Sequence, residues 1–382
     1  MTFRIPLLEP AVGIEEADYL REVILRNEIA IGNEISLFEQ KISSYTNSTF
    51  ATACSTGTAA LHLALLSLEI GHGDEVMIPD LGYISNISSI NYVNADPFII
   101  DTEPKTGNMN VKLAIDEITE RARHGHKLPK AIVLIHFLGE PGDVQSLISV
   151  SREHEIKIIE DCSQALGAYF TGGKAKDLSV GCVGDISTFS FNGNKIITTG
   201  GGGAIATNNP EIHENIIYFF SLKHNKLKDT IKDSIKYPFN YVLSNISCAL
   251  GLIQFQKLDC ILAKKAEINT TYQKRFEGHP QIEMTSESQF GKGSKWLSTI
   301  ILNSKVLRDH VRMSLADLGI ESRLISQPFH FILGNRLNKP SEFINSTNLY
   351  ETSLTLPSSI SLSRQDQEEV IESILSSIDG AS

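Results

Sequence analysis

Between residues 49 and 220 short apolar runs alternate with longer stretches in which apolar residues return every three or four positions. The runs TFATAC, DEVMIPD, PFIID, AIVLIHFL, IKIIED, DISTFSF and GGAIAT are mostly bounded by Gly, Pro or Asp, and their length predicts strands. Helical spacing between them predicts helices over Thr58–Glu69, Ile84–Asn94, Val111–Arg121 and Val144–Glu155. Strand–helix alternation of this kind predicts an α/β architecture with a mostly parallel central sheet covered by helices on both faces. Ligands in such sheets sit outside the carboxyl ends of the strands.

After a polar stretch rich in Lys and Asp from Lys223 to Lys236, a helix is predicted from Ser244 to Leu262, running on past Asp259. The remainder reads as a smaller α+β region. It has a strand near Trp296–Leu302, a helix over Leu307–Leu318, a strand near Ile320–Leu324 and a last helix over Arg364–Ile378, with Ser363 placed to cap it. The expected division is a large domain over 1–260, including the N-terminal segment, and a small C-terminal domain over 261–382.

Composition narrows the classes of function. A chain of 382 residues that is 41% hydrophobic can bury a large core, and its net charge of -11 opposes general binding to nucleic acid or to a membrane surface. Five cysteines, odd in number, well separated and without a C-x-x-C pair, suggest neither a disulfide framework nor a metal site, and point to the reducing cytoplasm. The N-terminus lacks the apolar run and cleavage site of a secretory signal. The most apolar window, Ala51–Ile70, carries Ser55, Thr56, His62 and Glu69 and fits a buried helix better than a bilayer span.

Four segments carry candidate chemistry. Ser55-Thr56-Gly57-Thr58 follows a strand and opens a helix, where hydroxyls and free N–H groups make a phosphate cradle. Taken alone it is also an ordinary capped helix start. Ile158-Ile159-Glu160-Asp161 ends a strand in two carboxylates; an Asp there can face the ligand crevice, or simply cap a turn. Lys195 lies between an apolar strand and the Ile196-Ile197 pair in a Gly-rich loop, a setting that lowers an amine pKa and makes a Schiff-base nucleophile, whereas most lysines are solvated surface residues. Phe239-Asn240-Tyr241-Val242-Leu243-Ser244-Asn245 precedes a helix that its polar residues can cap.

At these residues the chain resembles the sugar aminotransferases of the DegT/DnrJ/EryC/StrS group, fold type I pyridoxal-phosphate enzymes. The resemblance runs from the Phe38-Glu39 region to Leu356-Pro357-Ser358-Ser359. Its most specific element is FSFNGNKIITTGGGG, which is similar to the lysine segment of the branch acting on UDP-linked 4-keto-6-deoxy-N-acetylhexosamines. SRLISQPFH and YETSLTLPSS point to the same branch. The resemblance implies transamination of a nucleotide-linked keto-sugar for glycan biosynthesis, with an amino acid, L-glutamate by resemblance, as donor and pyridoxal 5'-phosphate as cofactor. It implies that Lys195 carries the cofactor and that Asp161 pairs with its ring nitrogen. Gln164 would bond the ring hydroxyl, Tyr83 would stack on the ring, and Thr56, Gly57, Thr58 and Ser190 would hold the phosphate. Asn240 would reach that phosphate from the neighbouring subunit, which implies a homodimer with shared active sites. Many relatives have Arg where this chain has Val242, so Arg323 is the candidate for the donor carboxylate, and His330 is a candidate for the sugar-nucleotide pocket.

Two other classes fit part of the pattern. An NAD-dependent sugar-nucleotide oxidoreductase would need a strand–GxGxxG–helix unit, and the glycines at 200–203 are followed by a strand pattern instead. A regulatory protein on the same fold would not need Lys195, Asp161 and the phosphate segment together.

Overall fold

The structure, a computed structural model, describes residues 3–220, 238–334 and 343–380. The polar stretch Lys223–Lys236 lies outside the described residues. Helices α1 (Ile14–Leu25) and α2 (Asn33–Thr46) lead into β1 (Phe50–Cys54), α3 (Gly57–Ser67), β2 (Glu75–Pro79), α4 (Ile84–Tyr92), β3 (Asp96–Ile100), α5 (Val111–Arg123), β4 (Ala131–Ile135), α6 (Val144–Glu153) and β5 (Lys157–Asp161). The two-residue β6 (Tyr169–Phe170), then β7 (Ile186–Ser190), β8 (Gly203–Thr207) and α7 (Pro210–Phe220) follow. All seven predicted runs become strands of one sheet, in the order β1-β8-β7-β5-β4-β2-β3.

Five neighbouring strands, β7, β5, β4, β2 and β3, are parallel, as alternation with helices requires. β8 departs from this and runs antiparallel to both β7 and β1. Only residues 191–202 connect β7 to β8. That length holds no crossover helix, so the chain turns back on itself. The turn contains Lys195 and hangs it over the carboxyl end of the sheet.

α3 forms because Thr56 caps it, its hydroxyl accepting the Ala59 N–H at 3.0 Å, and because its residues are apolar on every side. It is buried nearly all round, as expected of Ala51–Ile70, and among the described residues no single helix is long and apolar enough to cross a membrane.

The expected Ser244–Leu262 helix is two: α8 (Asn245–Gln256) and α9 (Leu258–Phe276), bent by 61° at Lys257. No Pro or Gly marks the bend. At the bend the Lys257 ammonium meets Glu15 and Glu16 of α1. Beyond α9 come β9 (Ile282–Met284), β10 (Gly291–Lys292), β11 (Ser298–Leu302), α10 (Lys305–Asp317), α11 (Phe329–Leu333), α12 (Ile344–Thr352), β12 (Ser353–Leu356) and α13 (Arg364–Asp379). β12, β11 and β9 make a small antiparallel sheet. Ser363 caps α13 through the Asp366 N–H. The strand expected near Ile320–Leu324 is only two isolated bridges, Ile5 to Ile320 and Arg323 to Thr355. An alternating pattern had no second strand to pair with over its full length.

Two apolar cores result. One surrounds the seven-stranded sheet; the other gathers Ile300, Val311, Leu354, Val370 and Ile374 with the C-terminal helix. α9 joins them, giving Leu258 and Ile261 to the first and Ile268, Tyr272 and Phe276 to the second.

Candidate active site

A cavity of about 500 Å³ opens at the carboxyl ends of the strands, where doubly covered parallel sheets bind ligands. Its lining brings together Thr56, Gly57, Thr58, Tyr83, Asp161, Gln164, Ser190, Lys195 and Arg323, drawn from segments up to 267 positions apart (56 to 323). A larger, more open depression lined by Ser151, Lys157 and Asp185 lies at the amino ends of β5 and β7. It holds none of the candidate residues.

Sheet register builds the cradle. Cys54 and Ser190 both pair with Gly203, so the ends of β1 and β7 flank the start of β8. Glycine is required at two contacts there. A Cβ on Gly203 would lie 2.4 Å from the Thr56 carbonyl oxygen, and one on Gly57 would lie 2.8 Å from Ser190 Cβ. The first turn of α3, with its N–H groups and the hydroxyls of Thr56, Thr58 and Ser190, therefore faces one space.

The adjacent carboxylates Glu160 and Asp161 separate because successive side chains on a strand point to opposite faces. Glu160 accepts N–H bonds from Gly181, Val183 and Gly184 and the His136 Nε2–H at 3.1 Å, while His136 Nδ1 accepts the Gly142 N–H. That buried group, with Cys162 beside it, is the one cluster of metal-ligating atoms among the described residues, and its donors and acceptors are already matched to one another. Asp161 points the other way, into the cavity. Its Oδ1 accepts the Ser163 N–H at 3.0 Å and its Oδ2 the Asn86 amide at 2.7 Å.

Lys195 keeps partial exposure along the cavity but is ringed by protein. Burial lowers its pKa to about 8, and the Asp161 charge opposes that fall. Its Nζ lies 4.3 Å from the centre of the Trp296 ring, and the Trp296 indole N–H donates to the Asn194 carbonyl at 2.7 Å. The indole thus holds the loop on one side of the amine and meets it with a π-face on the other.

Gln164 is fixed by its Oε1, which accepts the Leu138 N–H at 2.8 Å, and its Nε2 has no protein partner among the described residues. Leu138 adopts a left-handed conformation (φ 52°) that turns this N–H toward it. Tyr83 stands on the rim, 61% exposed, as the N-cap residue of α4. Arg323 lines the mouth with Nε and Nη2 on Glu321 at 2.9 and 2.6 Å. Val242, which brings no charge, bridges to Cys54. Asn240 is exposed and outside the lining of its own chain's cavity.

His330 is not brought to the cavity, contrary to expectation. Its N–H and Nδ1 are both engaged by buried Asp80, its Nε2 lies 3.4 Å from the Thr347 hydroxyl, and its ring stacks on Phe343. Paired with an acid and packed on an aromatic, it holds α11 to the end of β2. Among the cavity residues to which the sequence assigned no role are Trp296, Leu138, Ser163 and Asn194, with Asn86 just behind Asp161. Trp296 is the only tryptophan in the chain, the one sign that could have drawn notice.

The chain matches the DegT/DnrJ/EryC1/StrS aminotransferase family over residues 10–375. It is 34% identical over 371 residues to a GDP-perosamine synthase of Escherichia coli O157:H7, covering 97% of both chains. Among solved structures it is similar to Helicobacter pylori PseC, an aminotransferase involved in the biosynthesis of pseudoaminic acid (TM-score 0.86, 24% identity, all of both chains). It is likewise similar to a Streptococcus pneumoniae protein solved in a PLP form (TM-score 0.86, 23% identity, 99% of both chains). The fold is that of pyridoxal-phosphate aminotransferases, and the cofactor is pyridoxal phosphate. The residues present fit it: an amine of lowered pKa beside an acid, and a helix start where no Cβ fits.

Proposed function

We propose a substrate and a division of labour for a chain that belongs to the DegT/DnrJ/EryC1/StrS aminotransferase family and is a pyridoxal-phosphate-dependent sugar aminotransferase. It moves an amine from an amino acid, L-glutamate first, to the keto carbon of a nucleotide-linked 4-keto-6-deoxy sugar. The observation that carries the division of labour is a single cavity in which a lysine of pKa about 8, an acid and a hydroxyl-lined helix start converge.

The bound cofactor supplies an electron sink for the pair left when a C–H bond beside nitrogen breaks. Lys195 carries it, and its Nζ then takes and returns the proton on one face of the cavity. Asp161 holds the ring nitrogen, and Gln164 offers its free Nε2 to the ring hydroxyl. Thr56, Gly57, Thr58 and Ser190 receive the phosphate at the positive end of α3. Tyr83, on the rim, would stack on the ring, and the Trp296 indole, 4.3 Å from Nζ, shields the amine from water. Arg323, whose Nη1 has no protein partner among the described residues, meets the donor carboxylate that Val242 cannot.

A homodimer supports this arrangement. Asn240, exposed and away from its own cavity, is available to a neighbouring site. Large apolar side chains are exposed along residues 12–37, among them Ile14 at 79%, Leu25 at 70% and Ile31 at 64%, a surface suited to a partner. The five cysteines are free, which suits work in the cytoplasm.

The E. coli relative is named for a GDP-linked sugar, which makes a GDP-linked 4-keto-6-deoxy hexose the first substrate to try. The likeness of the lysine segment to another branch keeps UDP-linked 4-keto-6-deoxy-N-acetylhexosamines as the second. Incubating enzyme and glutamate with GDP-, UDP- and dTDP-linked keto-sugars, and weighing the products by mass spectrometry, tests the reading. Conversion of one sugar to its amine is expected; conversion of none of them would reject a nucleotide-linked 4-keto-6-deoxy sugar as the substrate.

A further inference from the structure

The Asp161 carboxylate is set by a side chain that neither lines the cavity nor stands near it in sequence. Asn86, 2% exposed in the first turn of α4, donates from Nδ2 to Asp161 Oδ2 at 2.7 Å. Its Oδ1 accepts the Tyr83 N–H at 3.1 Å. Those two bonds fix the amide's direction. The Tyr83 N–H needs an acceptor, so the oxygen must face it and the NH₂ must face the carboxylate; a flipped amide would set donor against donor and oxygen against carboxylate. Gly82 leaves room for this, since a Cβ there would lie 3.0 Å from Asn86 Oδ1. With Ser163 N–H on Oδ1, each Asp161 oxygen accepts one N–H, an arrangement suited to an ionised carboxylate with lone pairs left for a third donor.

We propose that Asn86 is a positioning residue for the cofactor: it locks the Asp161 carboxylate toward the ring nitrogen and couples that setting to the Tyr83 segment on the cavity rim. The inference rests on the proposed role of Asp161. One amide thus ties the residue beneath the ring nitrogen to the residue expected on the ring face, across 75 positions of sequence (86 to 161). A helix start that served only itself would not need its amide aimed at an acid at the end of β5, two strands away from β2.

The test is equilibrium binding of pyridoxal phosphate to apoenzyme, read by visible absorbance from pH 6 to 9, for wild type, Asn86→Ala, Asn86→Asp and Asp161→Asn. Variant affinities are taken relative to wild type at each pH; Cys162 keeps its proton across this range, the Lys195 titration cancels for Asn86→Ala, which alters no charge, and Asp161→Asn is compared above about pH 8, where the amine is neutral in both proteins. Loss of a hydrogen bond to a charged group predicts that Asn86→Ala binds roughly tenfold or more weakly at every pH. Asn86→Asp keeps the size but sets two carboxylates in contact, so it binds near wild type at the acid end, where they share a proton, and weakens as that proton is lost. A pH-independent loss in Asn86→Asp would mean a purely structural role and overturn the inference. So would affinity within twofold of wild type in both Asn86 variants while Asp161→Asn weakens binding. If Asp161→Asn binds like wild type, the role of Asp161 falls, and the inference with it. Should Asn86→Ala fail to fold, the isosteric Asn86→Asp still decides.

Discussion

Lys195 must lose a proton before it can attack an aldehyde, and the structure sets how easily. An ordinary lysine of pKa 10.5 is neutral in about one molecule in 3,000 at pH 7; at a pKa of about 8 the neutral fraction is about a tenth, a gain of roughly 300-fold in reactive amine. Burial supplies the shift, and Asp161 works against it by favouring the ammonium. The perturbation is therefore pH, with Asp161→Asn as the second axis. Apoenzyme is mixed with pyridoxal phosphate in a stopped-flow instrument and the visible band of the lysine-bound cofactor is followed. The capture rate should rise tenfold per pH unit below the transition and level off above about pH 8. In Asp161→Asn the transition should move to lower pH, because the neutral form no longer competes with an attracting charge. The same shift has a sign for stability. Between about pH 8 and 10.5 the unfolded lysine holds its proton and the folded one does not, so the stability of apoenzyme should rise with pH across that window. A capture transition near 10.5, or one that Asp161→Asn moves upward, would refute the account of this amine.

Gly57→Ala should lower the urea midpoint of apoenzyme by an amount equivalent to about 1–3 kcal/mol, because its Cβ would meet Ser190 Cβ at 2.8 Å; an unchanged midpoint would show that the cradle is looser than described. Trp296, the sole tryptophan, lies 4.3 Å from Lys195 Nζ, so cofactor binding should quench intrinsic fluorescence, and constant emission would place the cofactor elsewhere. Asn240→Ala and Lys195→Ala should each be inactive alone yet regain activity when mixed under subunit exchange, since one site of the mixed dimer then has both residues; no recovery would reject shared sites.

Much of the site was legible because it is built locally. Asp161 ends a strand and Thr56 and Lys195 follow one within a few residues, where an apolar run ending in a polar residue marks the carboxyl end of the sheet. What could not be read depends on distance. Trp296 reaches Lys195 from 101 positions away (195 to 296), and Asn86 looked like any residue of an amphipathic helix until the fold set it beside Asp161. The reversal of β8 follows from a linker length, which the sequence contained but which alternation alone does not reveal. At the bend Lys257 meets Glu15 and Glu16, about 240 positions earlier, and the bend has no local sign. His330, a candidate for the sugar-nucleotide pocket, is held by buried Asp80 outside the lining of this cavity, a pairing across 250 positions with no local sign.

Which amine carries the cofactor decides the chemistry of the site. Lys265 is the natural rival, being buried with a pKa lowered to about 7, but its Nζ is held by the Trp296 and Ser358 carbonyls at 2.9 Å each. Reducing the cofactor-loaded protein with borohydride, digesting it and locating the pyridoxyl group by peptide mass spectrometry distinguishes the two. The account predicts the label on Lys195 alone; a label on Lys265 or any other lysine, or full labelling of the Lys195→Ala protein, would contradict it.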